Sequence, residues 1–166
     1  MFKENGGLMK KAIILFIFII NVLALSGCDP SSYHYNYEDL VENVVSIELI
    51  NYENDEAAEL FEKREKVKPF DFSKLEVIEV LENEKNDQFL SELSKIDFLL
   101  VWRHLDSPKG EGIKVNYKDG SFDIICYYVQ FSCQYDELGN VKEFIGSGGG
   151  NQLKKIVDSL FLYPGQ

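Results

Sequence analysis

"GIKVNYKDGSFDIICYY", residues 112–128, gives the clearest indication of the architecture, because two apolar stretches flank a single turn dipeptide. Asp119-Gly120 between apolar runs is the strongest short-range signal of a β-hairpin, since both residues tolerate the positive φ angles of a tight turn. Strands joined by such a turn pair antiparallel. The sequence therefore predicts an antiparallel hairpin here.

Further strands are predicted on either side of this hairpin. They are "VVSIELINYE" (44–53), "KLEVIEVLE" (74–82), "FLLVWRHL" (98–105) and, after the turn "DELGN" (136–140), "VKEFI" (141–145). The first two alternate with the period of two that is typical of strands. The second arm of the hairpin is expected to continue through "VQFSCQY" (129–135), with Ser132 and Gln134 on its solvent-exposed side.

Two segments carry the apolar stripe of an amphipathic helix. In residues 83–98 the stripe is Phe89, Leu90, Leu93 and Ile96, with Asn86 or Asp87 as the expected N-cap. In residues 151–162 it includes Leu153, Ile156, Val157 and Leu160, with Asn151 as the expected cap. "YEDLVEN" (37–43) suggests a short helical turn, and residues 54–70 an exposed helix or a long ordered loop. We expect an α+β domain: an antiparallel sheet of about five or six strands with two amphipathic helices packed on one face.

The N-terminal segment has the features of a secretory signal. Residues 12–25 form an apolar run of fourteen residues, broken only by the polar Asn21 and preceded by Lys10 and Lys11. A membrane-spanning helix needs about 20 apolar residues, whereas positive charge before a shorter apolar core is typical of a signal peptide. A transmembrane anchor is the alternative.

The end of this run, Leu25-Ser26-Gly27-Cys28, resembles the lipobox of bacterial lipoproteins. The resemblance implies that the Cys28 thiol receives a diacylglyceryl group and that the chain is cut before Cys28. The remainder is similar in general pattern to small uncharacterised lipoproteins of Gram-positive bacteria, which implies no specific activity. We expect a signal peptide at 1–27, a tether at 28–40 and one domain at 41–166, held at the outer face of the cell membrane.

The charge balance disfavours nucleic acid as a partner. The chain carries 17 basic and 28 acidic residues. Removal of residues 1–27 takes away three lysines and one glutamate, which leaves 14 basic and 27 acidic side chains. An acidic surface repels phosphate backbones and anionic headgroups, but it tolerates cationic partners. The membrane, through the N-terminal lipid, and an envelope protein or wall polymer are the expected partners.

Two cysteines remain besides Cys28. Cys126 and Cys133 are seven residues apart, and on one continuous strand they would lie on opposite faces, roughly 23 Å apart. A disulfide requires Cα atoms within about 7 Å, so the two could pair only if the chain reversed near Val129-Gln130, which has none of the usual turn residues. We therefore expect two unpaired thiols packed as small apolar groups, although an extracytoplasmic address favours a disulfide.

Motifs for catalysis, nucleotides and metals are weak. The glycine-rich residues 146–150 match no phosphate-loop template and are interpreted as a flexible connector. His104, near Asp106 and Ser107, suggests a small envelope hydrolase only as an alternative, since no G-x-S-x-G motif occurs. The acidic residues 51–59 lack the pattern of a calcium loop. We therefore expect neither a cofactor nor a metal.

Aromatic side chains supply the candidate binding residues. Tyr127, Tyr128, Phe131 and Tyr135 crowd one arm of the hairpin, and Trp102 and His104 belong to a neighbouring strand if the sheet brings them together. Exposed tyrosines bind glycans or protein partners, although most such aromatics belong to a core. Trp102, His104 and Tyr128 are the predicted binding site of a non-catalytic, membrane-tethered interaction module.

Overall fold

The computed structural model describes residues 32–53, 69–99, 108–128, 131–146 and 149–161. They belong to one unit, which begins at Ser32. Its elements in chain order are β1 (Ser32–Tyr33), α1 (Tyr37–Asn43), β2 (Val44–Tyr52), a 3-10 turn (Phe72–Lys74), β3 (Leu75–Val80), α2 (Asn83–Leu93), β4 (Phe98–Leu99), β5 (Gly110–Tyr117), β6 (Phe122–Cys126), β7 (Phe131–Tyr135), β8 (Val141–Gly146) and α3 (Gly150–Leu160).

Six strands form one antiparallel sheet in the order β3-β2-β5-β6-β7-β8, and β1 pairs with β4 in a separate two-stranded sheet. The predicted hairpin is confirmed as β5 and β6, with Asn116 opposite Phe122. Gly120 has a φ angle of 83°, which explains why glycine follows Asp119 in the turn. The hairpin lies in the middle of the sheet.

The predicted α+β architecture is confirmed, with the apolar faces of α2 and α3 on the same side of the sheet and with α1 as a third helix. The core on this side contains buried residues from strands and helices: Ile47, Leu49, Ile113, Val115, Ile125, Phe89, Leu90, Leu93, Leu153, Ile156, Val157 and Leu160. Phe89 and Leu93 are fully buried. Each such side chain contributes roughly 1.5–3 kcal/mol through its removal from water.

A second core occupies the other face and is rich in aromatic rings. Phe70 is at its centre, with ring centroids 5.1 Å from Tyr52, 5.2 Å from Phe122 and 5.3 Å from Tyr135. Phe131 and Cys133 are buried in the same cluster. Strand β6, in the middle of the sheet, is therefore buried on both faces.

The expected continuous strand from β6 through residue 135 is wrong, because the chain reverses between Cys126 and Phe131, which lie opposite each other. The reversal gives β7 its own place in the sheet. Ser132, expected to face solvent, is only 1% exposed. Cys126 and Cys133 are both buried and unpaired, as expected, but they lie on adjacent strands rather than far apart along one strand.

The expected N-caps also differ from the structure. Helix α2 begins at Asn83 after Glu82, so Asn86 and Asp87 lie inside it. Helix α3 is capped by Gly149, whose φ angle is 66°, rather than by Asn151. These differences arise because the helices extend further toward their N-termini than the side-chain signals indicate.

The glycine-rich segment is more than a connector where the structure describes it. A Cβ atom on Gly149 would lie 2.2 Å from Ile96 Cγ2, and one on Gly150 would lie 2.3 Å from the Tyr127 carbonyl oxygen. Neither distance is compatible with a side chain. The two glycines allow α3 to pack closely against the chain beneath it.

The structure places residues 32–40, interpreted above as part of a tether, within the folded unit. Ser32 and Tyr33 pair with Leu99 and Phe98. Tyr35 and Leu40 are 6% and 3% exposed. These apolar contacts had no periodic signal in the sequence, because they come from a short irregular segment.

Several expectations fall on residues that the structure does not describe. They are the signal peptide and Cys28, the segment 54–68, and residues 100–107, which contain Trp102 and His104. Within the described ranges, none of the helices has the length and apolarity that a membrane crossing requires.

Candidate functional site

A buried carboxylate lies on the helix-covered face of the sheet. Asp123 of β6 is 0% exposed, because it shares the alternation that buries Ile125. Its Oδ2 atom accepts hydrogen bonds from the phenolic hydroxyls of Tyr117 at 2.6 Å and Tyr35 at 2.7 Å. Tyr117 ends β5, and Tyr35 comes from the segment between β1 and α1. The two strands of one hairpin and a segment 88 residues away in sequence therefore meet at one oxygen.

Burial controls the protonation of this cluster. Removal from water raises the pKa of Asp123 to about 6, although hydrogen bonds from Tyr117 and Tyr35 and the nearby amide of Gln134 favour the ionised form. Gln134 is directly opposite Asp123 on β7. Burial, together with the negative charge of Asp123, raises the pKa values of both Tyr35 and Tyr117 well above the usual range. The two phenols therefore stay neutral and act as donors.

A pocket of about 630 Å³ opens above this cluster, and we call it the tyrosine pocket. Its lining comes from the segment around α1, from the β5–β6 turn and from β7 and β8: Tyr33, Tyr35, Asn36, Asp39, Leu40, Asn43, Tyr117, Lys118, Asp119, Ser121, Gln134 and Lys142. The half-buried Tyr33 stands edge-on to Tyr35, with ring centroids 5.1 Å apart.

The charges around the tyrosine pocket balance. Its lining contains two lysines and two aspartates. Lys142 Nζ lies 3.4 Å from Asp119 Oδ2. Hydrogen bonds from the Ser121 hydroxyl and backbone N–H, and to a lesser degree the charge of Lys142, lower the pKa of Asp119. The β5–β6 turn therefore presents an ion pair to the pocket rather than an isolated charge.

Helix α1 supplies two amides that are held in place by the backbone. Asn36 is its N-cap, and the Asn36 Oδ1 atom accepts hydrogen bonds from the backbone N–H groups of Glu38 and Asp39. At the other end of the helix, Asn43 Nδ2 donates to the Asp39 carbonyl oxygen. These bonds fix both side chains at the pocket edge before any ligand arrives.

Of the three predicted binding residues, the structure describes Tyr128 alone. Tyr128 is 62% exposed and contacts the Tyr127 ring at a centroid distance of 5.0 Å, but it is not among the residues that line the tyrosine pocket. Trp102 and His104 lie outside the described residues, so their binding role and the hydrolase alternative remain predictions. Phe131 and Tyr135 are buried in the second core.

Sequence reasoning missed Tyr35, Tyr117 and Asp123. The one signal available was the charged Asp123 inside the apolar strand "FDIIC", since a carboxylate is rarely buried without partners. Tyr117 is only six residues from Asp123, in the predicted hairpin, but nothing local identified Tyr35, which is 88 residues away in sequence.

Among the described residues, no group of three or more His, Cys, Asp and Glu side chains is arranged to hold a metal ion. His34 lies 2.9 Å from Asp97, and both side chains are exposed. Comparison with protein-family models, with curated proteins and with solved structures finds no match. Function is therefore inferred from the tyrosine pocket and from the N-terminal sequence.

Proposed function

We propose that this chain is a lipid-anchored, extracytoplasmic binding module of the cell envelope that holds its ligand in the tyrosine pocket and performs no catalysis. The observation that carries the binding role is the pocket itself, about 630 Å³ above a hydrogen-bonded floor. Ligand sites in proteins typically enclose about 300–1,000 Å³. The pocket is large enough for a small polar ligand or for one end of a polymer.

Binding fits this site better than catalysis does. A general acid or base must lie within hydrogen-bonding reach of its substrate. Asp123 has a raised pKa, but it is fully buried and its Oδ2 atom already accepts two phenolic hydrogen bonds. The same bonds hold Tyr35 and Tyr117 in one geometry, which lowers the entropy lost when a ligand binds.

The proposed anchor would keep the pocket near the membrane. Tyr33, which lines the pocket, is five residues after Cys28. An extended chain covers at most about 3.6 Å per residue, so Tyr33 would lie within about 18 Å of the lipid-bearing residue. Two acyl chains at Cys28 would hold the protein stably, since each buried CH₂ contributes about 0.8 kcal/mol. The tyrosine pocket of the anchored protein would therefore be close enough to the membrane to bind a ligand of the cell envelope.

The proposed lipid anchor at Cys28 is tested by metabolic labelling with an alkyne-bearing palmitate. The full chain, Cys28→Ala and the control Ser32→Ala, which leaves the lipobox unchanged, are expressed in a Gram-positive host. We expect label and membrane retention for the full chain and for Ser32→Ala, and neither for Cys28→Ala. Equal labelling of Cys28→Ala would contradict the proposed anchor.

The pocket is tested by a photo-crosslinking amino acid in place of Tyr33, with replacement of Tyr37 as the matched control. Tyr37 is four residues away on α1, is 38% exposed and does not line the pocket. After irradiation of whole cells, we expect an envelope component to be crosslinked from position 33 and not from position 37. No crosslinking from position 33, or the same crosslinks from both positions, would refute a pocket ligand.

A further inference from the structure

We propose that the tyrosine pocket binds an uncharged sugar, one or two rings in size. This inference rests on the proposed function and names the ligand class of that same site. Two sources share this chemistry: the headgroup of a neutral glycolipid and a neutral sugar of the wall or medium.

The electrostatics of the lining argue for a ligand without net charge. An anionic ligand would meet Asp39 and Asp119 at the rim and the buried Asp123 below. Lys142 is already paired with Asp119, which leaves Lys118 as the lysine of the lining outside that ion pair. A cationic ligand would meet both lysines. Like charges in a partly desolvated site are unfavourable for either kind of ligand.

The hydrogen-bonding groups fit hydroxyls, which both donate and accept. The Asn36 carbonyl oxygen is engaged by the start of α1, so its amide nitrogen is left as a donor. The Asn43 nitrogen is engaged by the Asp39 carbonyl, so its oxygen is left as an acceptor. The two ends of α1 therefore offer opposite hydrogen-bonding characters, a donor at Asn36 and an acceptor at Asn43, to hydroxyls at separate positions on the ligand.

The aromatic residues supply the apolar surface that a sugar ring needs. Tyr33 and Tyr117 are only partly buried, and both line the pocket. A tyrosine offers an apolar ring and a polar hydroxyl, which matches a sugar that has C–H groups on one face and hydroxyls around its edge. A purely polar ligand such as inorganic phosphate would leave these rings unused.

The test uses the full-length chain in detergent micelles and isothermal titration calorimetry. The probes are maltose and N,N′-diacetylchitobiose, which are neutral, and glucose 6-phosphate and glucosamine, which carry opposite charges. We expect at least one neutral disaccharide to bind saturably at millimolar concentration, and both charged sugars to bind at least about tenfold more weakly. Absence of binding by both neutral disaccharides, or equal or tighter binding of a charged sugar, would overturn the proposal.

Variants separate the pocket from nonspecific binding. Tyr33→Phe keeps the ring and removes the hydroxyl, so it should weaken binding about three- to tenfold, the effect of one hydrogen bond. The matched control Tyr37→Phe should leave affinity unchanged. Lys118→Ala removes the lysine of the lining outside the ion pair, and for an uncharged ligand its effect on affinity should be no larger than that of Tyr33→Phe. A complete loss in Lys118→Ala with no loss in Tyr33→Phe would indicate an anion site and overturn the assignment.

A vesicle assay identifies the source. Phosphatidylcholine vesicles with and without diglucosyldiacylglycerol are compared by co-flotation with the full-length chain, with free maltose as competitor. Flotation that needs the glycolipid and is displaced by maltose supports the headgroup, and maltose binding without flotation supports a soluble or wall sugar.

The crosslinking experiment distinguishes this proposal from the proposed function. A charged or proteinaceous species crosslinked from position 33 would refute the sugar as the ligand but not the binding function, whereas no crosslink from that position would refute both.

Discussion

The hydroxyl of Tyr35 donates a 2.7 Å hydrogen bond to Asp123 Oδ2 across 88 residues of chain. This bond joins the first described segment of the protein to the middle of the six-stranded sheet. The same carboxylate oxygen accepts a second bond from Tyr117. Stability, pH response and the floor of the tyrosine pocket therefore depend on one buried group.

Asp123 should make the protein less stable as pH rises. Its pKa is raised from 3.8 to about 6 in the folded state, so the folded protein binds the proton more tightly than the unfolded chain does. The stabilising contribution is complete below pH 3.8 and is lost as pH rises through about 6. We expect the contribution of Asp123 to the free energy of unfolding to fall by about 1.4 kcal/mol between about pH 5 and about pH 7.5.

Urea unfolding of the wild type and Asp123→Asn at the two pH values isolates this contribution. The asparagine does not titrate, and the other ionisable groups are common to both proteins. The pH-dependent change in unfolding free energy should therefore differ between the two proteins by the predicted amount. Parallel pH profiles would contradict the protonation of Asp123 in the folded state.

Tyr35→Phe should destabilise the fold by about 2 kcal/mol at about pH 8, where Asp123 is ionised, because a hydrogen bond to a buried charge is lost. At about pH 4.5 the cost should be smaller, since the carboxyl is then mostly neutral. Chemical denaturation at both values measures the difference. Tyr37→Phe, which removes an exposed hydroxyl bonded to Asp87, is the control and should cost less than about 1 kcal/mol.

Gly150→Ala should destabilise the protein by about 3 kcal/mol, because the new methyl group would overlap the backbone of Tyr127. Gly110→Ala is the comparison: its φ angle is 73°, and no atom lies within 4 Å of the added Cβ. It should cost only about 1–2 kcal/mol of backbone strain. Urea midpoints that rank Gly110→Ala as the more damaging change would refute the close approach of α3.

The Cys126 and Cys133 thiols should resist alkylation in the folded protein. Burial raises the pKa of each to about 12, and the reactive species is the thiolate. We expect iodoacetamide to modify both residues in urea and neither in native buffer, as followed by peptide mass spectrometry. Rapid modification of either thiol in native buffer would show that its strand opens without global unfolding.

The hairpin and the two amphipathic helices could be predicted because their signals are local. The Asp119-Gly120 turn and the stripes of α2 and α3 each repeat with the period of one element. The reversal between β6 and β7 was missed, since residues 127–130 contain none of the usual turn residues. The hydrogen bond from Tyr35 to Asp123 could not be predicted, because the segment around Tyr35 is irregular and contacts β6 only in the folded protein.

The candidate site was less predictable than the fold. Of the hairpin aromatics, Tyr128 is exposed, as a binding residue must be, whereas Phe131 and Tyr135 are buried in the second core. The distinction depends on which face of a strand is covered. Alternation separates the two faces of β7, but it does not say what packs on each.

The β5–β6 hairpin, the amphipathic stripes of α2 and α3 and the lipobox-like motif at Cys28 can be recognised in the sequence, because turn chemistry, periodicity and short motifs are properties of neighbouring residues. The contact between Tyr35 and Asp123 and the pocket above it form only when the whole chain has folded. Strand order and register bring these side chains within hydrogen-bonding distance, and both depend on packing across the whole sheet.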